Sequence, residues 1–264
     1  MKYLTLSFLL LSLSTIGGGL LTKAAVRNPE FTTAAEASFS KGRMTAVMYE
    51  DSIQSLYTAI GLENYNLSFE VFRYGMIGYH SLEQQGRLNE KGILSIIDFT
   101  KPSTQKRFFT IDLKNQKVLY HTYVSHGRNT GENFATSFSN RPHSNQSSLG
   151  FYITGETYVG SKGFSMKLDG MDIGYNDNIR NRAVVMHEAE YVSEKWIQKY
   201  GRLGRSQGCP ALSKEMNRKV INTIKEKSLI FAYYNDNKFL KSSANLDLEK
   251  VLNGTNALLA IASK

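Results

Sequence analysis

Apolar residues recur with helical spacing in two stretches near the start of the chain, at 53–60 and 69–79. A spacing of three and four residues places these side chains on one face of a helix, so each stretch predicts an amphipathic helix with that face in the core. Gly61 and Gly86 follow the two stretches and predict where the helices end. The apolar positions are Ile53, Leu56, Tyr57 and Ile60 in the first helix and Phe69, Phe72, Met76 and Tyr79 in the second.

From residue 92 onward the pattern changes to short segments rich in β-branched and aromatic residues, which is typical of strands. The turn-like spacer at 114–116 predicts a hairpin across 107–125. Short helices are predicted at 194–200, between Ser193 and Gly201, and after Ser213. The predicted strands cover 93–100, 107–113, 117–125, 149–154, 164–168, 182–186 and 228–234. This order predicts a β-rich α+β fold, with an N-terminal helical segment on a β-sandwich-like domain.

The same pattern divides the chain into five parts. A leader and a linker of small polar residues precede the predicted helices, and a tail follows the last strand. The tail is polar at first and apolar at 251–261, so it either packs as a helix or stays unstructured. The predicted boundaries are 1–24 for the leader, 25–45 for the linker, 46–90 for the helical segment, 91–238 for the β-rich domain and 239–264 for the tail.

The leader is typical of a secretory signal peptide. Lys2 supplies the positive start, residues 3–13 are uncharged and Leu-rich, and Ala24-Ala25 offers a cleavage site. The alternative is a retained membrane anchor, because residues 3–21 carry no charge and a span needs about 20 residues. Several Ser, Thr and Gly residues in that stretch disfavour the anchor. We therefore predict an exported protein of the periplasm or cell envelope, with no stable membrane span after cleavage.

The chain is basic, with a formal net charge of +9 over 264 residues. Removal of residues 1–24, with Lys2 and Lys23 as their charged side chains, leaves +7. Such a charge draws an exported protein towards anionic polymers or a membrane surface, although a merely soluble basic surface accounts for it equally well. No basic run has the interleaved aromatics typical of nucleic-acid binding, so no nucleic-acid partner is predicted. No feature points to a particular oligomeric state.

Cys209 is the only cysteine in the chain. An exported chain with one cysteine has no internal disulfide, and an unpaired thiol is a liability in an oxidising compartment. Cys209 is therefore either a small buried apolar residue or a reactive group retained for chemistry.

The neighbours of Cys209 suit a nucleophile. His187 closes an apolar strand, and a thiol paired with an imidazole is an activated cysteine nucleophile. Cys209 follows Gly208 in a turn, and a helix is predicted to start near Ser213, so we expect the helix N-terminus to lower the thiol pKa. The backbone N–H groups of Gly208 and Cys209 are expected to be free for a developing oxyanion. Ser206 either orients the turn or merely fills it.

The order His187, then Ser206-Gln207-Gly208-Cys209, resembles the L,D-transpeptidases of the YkuD type, in which a His precedes a Ser/Thr-His-Gly-Cys motif. In this chain Gln207 stands in place of the motif His, Glu188 in place of a Gly, and Pro210-Ala211 in place of a polar residue. A divergent branch, the murein L,D-transpeptidase catalytic domain proteins, is more closely similar over about residues 45–235. The segments that carry this likeness are 201–206, 208–210, Val124-Ser125-His126-Gly127 and Ser147-Ser148-Leu149-Gly150.

The resemblance implies a YkuD-like fold and an enzyme that acts on the stem peptides of peptidoglycan without a cofactor. Cys209 would attack the carbonyl of the third stem residue, expel D-Ala and pass the thioester to an amine of a second stem, giving a 3→3 cross-link. His187 would act as the base, and the backbone carbonyl of Gln207 would hold its ring. Water in place of the amine would make the protein an L,D-carboxypeptidase or another cysteine peptidase. A non-catalytic wall-binding protein with an inert Cys209 is the alternative from another class.

Further candidates are charged or titratable side chains near these motifs. Arg202 and Arg205 are predicted to bind a substrate carboxylate, although loop-bracing arginines are equally common. His126 is predicted to line the cleft and contact substrate. His121 and His126 project to opposite faces of a strand, and Glu188 beside His187 lacks the His-Glu-x-x-His pattern, so no metal site is predicted.

Overall fold

The computed structural model describes residues 43–262, so the predicted leader 1–24 and nearly all of the linker 25–45 lie outside the described residues. The described residues from Met44 onward belong to one compact unit. Its helices are α1 Ala46–Ile60, α2 Phe69–Gln84, α3 Glu194–Tyr200, α4 Lys214–Ile224, α5 Asn237–Ser242 and α6 Leu248–Ala262, with 3-10 turns at Leu62–Tyr65 and Ala244–Leu246. Its strands are β1 Ile93–Asp98, β2 Phe108–Asp112, β3 Lys117–Thr122, β4 Gly150–Gly160, β5 Gly163–Gly170, β6 Val185–Glu188, β7 Ala211–Leu212 and β8 Leu229–Tyr233.

The eight strands form one mixed sheet in the order β3-β2-β1-β8-β4-β5-β6-β7. Neighbouring strands are antiparallel, apart from the parallel pairs β1 with β8 and β6 with β7. The two ends of the sheet meet, because Ser125 bridges Ala211 in β7 and Gly127 bridges Ser206. The predicted β-rich α+β fold with an N-terminal helical segment is confirmed, and its strands curl into one barrel-like sheet.

The main core lies between α2 and the central strands of the sheet. Gly78 of α2 allows a close approach, because a Cβ at this position would lie 2.1 Å from the Cζ atom of Phe151. The ring of Phe151 in turn stacks on Phe231 of β8, with ring centroids 4.3 Å apart. The N-terminal helices therefore share one core with the sheet.

The helix ends follow the residues that predicted them. Ser193 accepts a hydrogen bond from Trp196 N–H at the start of α3, and Gly201 ends that helix with φ 69. The apolar part of the tail forms α6 and packs on α2, where Gln84 Nε2 donates to the carbonyl of Val251 at 3.0 Å. Within residues 43–262, no helix combines the length and apolar character needed to cross a bilayer.

The strand before His187 differs from the prediction for 182–186. Arg182 and Ala183 form the end of a turn, in which Ala183 has φ 52, and β6 begins only at Val185. The guanidinium of Arg182 donates to the carbonyls of Ser139 and Gln146 at 2.7 Å each. These bonds connect Arg182 to the preceding loop rather than to the sheet. Sequence periodicity does not predict such contacts.

Candidate active site

The segment from Ser206 to Cys209 forms a tight turn whose shape depends on one hydroxyl group. Ser206 Oγ donates to the carbonyl of Cys209 at 2.7 Å and accepts from the N–H of Gly208 at 3.0 Å. Gly208 has φ 119, and a Cβ there would lie 2.7 Å from the carbonyl oxygen of Gln146, so the turn requires glycine. Ser206 N–H donates to the carbonyl of His126 at 2.9 Å, which anchors the turn to the opposite end of the sheet.

This turn brings the Cys209 thiol to the edge of β6. Sγ accepts a hydrogen bond from Val185 N–H at 3.4 Å. In the parallel pair of β6 and β7, His187 lies opposite Ala211, so Val185 and Cys209 are each two residues before that pair. Side chains two residues apart on a strand project to the same face, with a rise of about 7 Å between them. The thiol and the imidazole thus belong to two adjacent segments of the chain. Along the direction of β6, the residue that contacts the thiol lies two positions before His187.

The His187 imidazole is buried and held in one tautomer. Its Nδ1 lies 2.8 Å from the carbonyl oxygen of Glu188, and a carbonyl oxygen can only accept, so Nδ1 carries the proton of the neutral ring. Nε2 then presents a lone pair that can accept a proton. Among the described residues, each of the two candidate groups is hydrogen-bonded to backbone rather than to the other, the thiol to Val185 and the imidazole to Glu188.

Burial favours the uncharged form of both groups. Burial raises the pKa of the Cys209 thiol above its usual value of 9.0, although a backbone N–H and the charges of Arg182 and Lys162 act in the opposite direction. Burial lowers the pKa of the His187 imidazole and Lys162 lowers it further, against the carbonyl and carboxylate of Glu188, which raise it. The free protein therefore holds a thiol and a neutral imidazole at neutral pH, rather than a thiolate–imidazolium pair.

The prediction that a helix N-terminus lowers the thiol pKa is wrong. Strand β7 separates Cys209 from α4. The first turn of α4 is also capped, because Ser213 Oγ accepts from Met216 N–H at 3.3 Å. The field of a helix end falls off within one turn, so the loss of hydration around the half-buried thiol outweighs it.

The family model described as the L,D-transpeptidase catalytic domain matches residues 63–233. The chain belongs to this family. The match begins within the 3-10 turn between α1 and α2 and ends with β8, so it includes α2 as well as all eight strands.

Several solved structures resemble this L,D-transpeptidase family member. They include an L,D-transpeptidase from Mycobacterium smegmatis (13% identity, 54% of this chain, 59% of that chain, TM-score 0.33), the helical cell shape determining protein Pgp2 from Campylobacter jejuni (14%, 66%, 63%, 0.38) and an L,D-transpeptidase from Stackebrandtia nassauensis (14%, 70%, 78%, 0.32). The chain thus spans less than two thirds of the length of the first two. No curated protein matches the chain.

Two roles predicted for the turn belong to other groups. The carbonyl that holds the His187 ring is that of Glu188, whereas Gln207 is exposed. Glu188 follows His187 in the same strand, so local backbone geometry fixes the distance between its carbonyl and the imidazole. Gln207 lies in a separate turn and has no such fixed relation to the ring. The N–H of Gly208 was expected to be free for an oxyanion, but it donates to Ser206 Oγ.

Arg202 and Arg205 bind a carboxylate that belongs to the protein itself. Arg202 Nε lies 2.8 Å from Glu132 Oε2, and Arg205 Nη1 lies 2.7 Å from Glu132 Oε1. Arg205 also donates to the carbonyls of Arg128 and Gly131 at 3.0 and 3.1 Å. This arrangement is the loop-bracing alternative, and it fixes the loop that runs beside Ser206.

His126 does not line the cleft, which corrects the prediction that it contacts substrate. The residue is 1% exposed, Nδ1 lies 2.7 Å from Nη2 of the fully buried Arg107, and Nε2 lies 3.2 Å from the carbonyl of Gly131. Burial and the charge of Arg107 lower the pKa of His126 to about 4, so the ring is neutral. In the described part of the chain, no group of three or more His, Cys, Asp or Glu side chains is assembled to hold a metal ion.

Arg182 and Tyr191 are neighbours of the thiol that sequence reasoning missed. Arg182 donates to four oxygens of the loop 139–148 and lies close to Gly208, whose Cβ would be 3.3 Å from Arg182 Nη2. Burial raises the pKa of Tyr191 to about 12, and a charged Cys209 would raise it further. A single arginine or tyrosine has no spacing signal, so only its spatial neighbours reveal it.

Proposed function

We propose that the protein is an exported L,D-transpeptidase that forms 3→3 peptidoglycan cross-links through a thioester on Cys209. Family membership supports the reaction class. The observation that supports the assignment to residues is the hydrogen bond to the Cys209 thiol from Val185 N–H of β6, two residues before His187, whose Nδ1 is held by a backbone carbonyl.

In the acylation step, Nε2 of His187 takes the thiol proton when the peptide is bound. The sulfur attacks the carbonyl carbon of the third stem residue and forms the C–S bond. The tetrahedral intermediate then breaks its C–N bond to the terminal D-Ala, and His187 returns the proton to the departing amine. The products are free D-Ala and a thioester, and the neutral resting state of both groups suits this general-base route.

The turn supplies the charge stabilisation that this step requires. Because the Gly208 N–H is bonded to Ser206 Oγ, the N–H of Cys209 itself is the predicted turn donor that remains for the developing oxyanion. The bond from Ser206 Oγ to the Cys209 carbonyl fixes the orientation of the adjacent peptide units. Ser206 and Gly208 are therefore positioning residues in this proposal.

In the second step, an amine of another stem attacks the thioester after His187 takes a proton from it. The C–S bond breaks, a new amide forms, and the sulfur recovers its proton as the thiol. Water in place of the amine would release a tripeptide, which is the L,D-carboxypeptidase outcome.

The predicted secretory signal would direct this chemistry to the cell envelope. The leader 1–24 lies outside the described residues, and the charge of +7 that remains after its removal would draw the protein towards carboxylate-rich wall polymers. Residues 91–238, together with the helical segment 46–90 that shares their core, would form the catalytic body.

Product analysis with disaccharide tetrapeptides tests this assignment. The protein should give cross-linked dimers with loss of one D-Ala for each link, and Cys209→Ser and His187→Gln should each abolish them. Ser213→Ala, which removes the cap of α4, is the matched control and should retain activity. Tripeptide with no dimer would assign the carboxypeptidase reaction, and unchanged tetrapeptide with folded protein would refute both.

Intact mass after exposure to a carbapenem distinguishes an enzyme from a non-catalytic wall-binding protein. Attack by Cys209 opens the β-lactam ring, and the adduct keeps every atom of the drug. We expect one added drug mass, absent in Cys209→Ser and slowed in His187→Gln. An inert thiol in a protein that still binds cell walls would support the binding protein instead.

A further inference from the structure

We propose that Lys162, in the turn between β4 and β5, forms an anion subsite that binds the free C-terminal carboxylate of the donor peptide. This inference rests on the proposed function and deepens it. It makes Lys162 a specificity-determining residue, because peptides that end in a free acid would be preferred over amidated or longer peptides.

The position of the turn is the first argument. Ser161 and Lys162 join β4 to β5, with Gly160 paired to Gly163 at the hairpin end. A Cβ on Gly163 would lie 2.7 Å from Oε1 of Glu188, the residue that follows His187. The hairpin end therefore lies against the end of β6 that carries the proposed base.

The charge of Lys162 is the second argument. Its positive charge acts to lower the pKa of both Cys209 and His187, although burial raises the pKa of Cys209 overall, so both groups lie within range of its field. The residue is exposed, and within residues 43–262 its ammonium makes no ion pair. Lys167, further along β5, instead pairs with Glu156 at 2.9 Å.

Three arginines of the segments around Cys209 are already bound to groups of the protein. Arg202 and Arg205 pair with Glu132, and Arg182 gives its donors to oxygens of the loop 139–148. Lys162 therefore combines a field at the thiol with donors that are available to a ligand. A lysine ammonium suits this role, because it binds as a compact charge with three donors.

The geometry of the leaving group supplies the third argument. His187 must protonate the departing amine, and in a terminal D-amino acid the carboxylate carbon is two bonds from that nitrogen, roughly 2.5 Å away. The carboxylate therefore has to lie on the His187 side of the site, where Lys162 stands. The Glu188 carboxylate lies on the same side and would repel the substrate, so a cation there also offsets that charge.

Steady-state kinetics with two matched donors test the subsite. Lys162→Gln should raise KM about tenfold for a tetrapeptide with a free C-terminus, with kcat changed by less than about twofold, and should leave a C-terminally amidated peptide unaffected. Lys167→Gln, which removes a charge from the same hairpin, is the control and should match the wild type. An equal loss on both peptides, or no loss on either, would overturn the proposal.

Alkylation of Cys209 tests the same field without turnover. Iodoacetate is an anion and iodoacetamide is its neutral analogue, so the ratio of their rates reports the charge around the thiol. Lys162→Gln should lower this ratio about fivefold, the factor expected from a single-charge interaction of about 1 kcal/mol. An unchanged ratio would overturn the subsite even if cross-linking is observed. A lowered ratio in a protein without transpeptidase activity would leave the anion subsite standing and refute only the reaction.

Discussion

Replacement of Ser206 by alanine is the sharpest test of how the turn holds the thiol. The hydroxyl is the common partner of two backbone groups, the N–H of Gly208 and the carbonyl of Cys209. Ser206 is 7% exposed, so water cannot easily replace the lost oxygen. Ser206→Ala therefore leaves a donor and an acceptor without their partner on either side of the proposed nucleophile.

The expected loss follows from those two bonds. A hydrogen bond contributes about 1 kcal/mol net, and a buried donor left unsatisfied costs about 1–3 kcal/mol. We expect Ser206→Ala to lower the free energy of unfolding by roughly 2–4 kcal/mol. In a domain of this size the corresponding fall in Tm is about 5–10 °C.

Urea unfolding and iodoacetamide kinetics measure the two consequences separately. Ser213→Ala is the matched control, because it removes another serine hydroxyl that accepts a backbone N–H, and loss of this cap should cost about 1 kcal/mol without altering the thiol. Ser206→Ala should lower stability further and change the alkylation rate of Cys209. If its stability lies within about 0.5 kcal/mol of the wild type and the alkylation rate is unchanged, the hydroxyl does not hold the turn.

Three further predictions concern the thiol and the core. Because burial raises the pKa of Cys209, its alkylation by iodoacetamide should keep accelerating beyond pH 9.0, and a plateau near neutrality would instead indicate a preformed ion pair with His187. Since the folded pKa exceeds the unfolded one, this group's contribution to stability should be intact below the unfolded pKa and lost as pH rises through the folded value, and Cys209→Ser should remove that component of urea unfolding. Gly78→Ala should cost about 2–3 kcal/mol by forcing a Cβ into the Phe151 ring. In the same helix, a Cβ at Gly75 meets only the terminal methyl groups of Ile96 and Leu94, at 3.2 and 3.3 Å. Gly75→Ala should remain within about 1 kcal/mol of the wild type, so equal urea midpoints for the two variants would contradict the close packing.

Local chemistry made several elements predictable from the sequence. Ser193 and Gly201 bound α3 because a serine hydroxyl caps a helix start and glycine accepts the left-handed conformation at its end. The apolar stripe of α2 follows from helical periodicity alone. The order His187, Gly208, Cys209 was likewise sufficient to point to the family.

Contacts between segments distant in sequence decided the pKa values and the partners of the candidate site residues. The sign of the pKa shift at Cys209 depends on how deeply β6 and its neighbours bury the thiol, which a helix start nearby in sequence could not reveal. His126 is a buried partner of Arg107, and Arg202 and Arg205 form ion pairs with Glu132. These contacts form because the two ends of the sheet meet. Sequence alone thus predicted which residues would carry the chemistry of a thiol acyltransferase. Only the tertiary structure decided their protonation and which charges remain available to a ligand, since desolvation and ion pairing depend on distances across the fold.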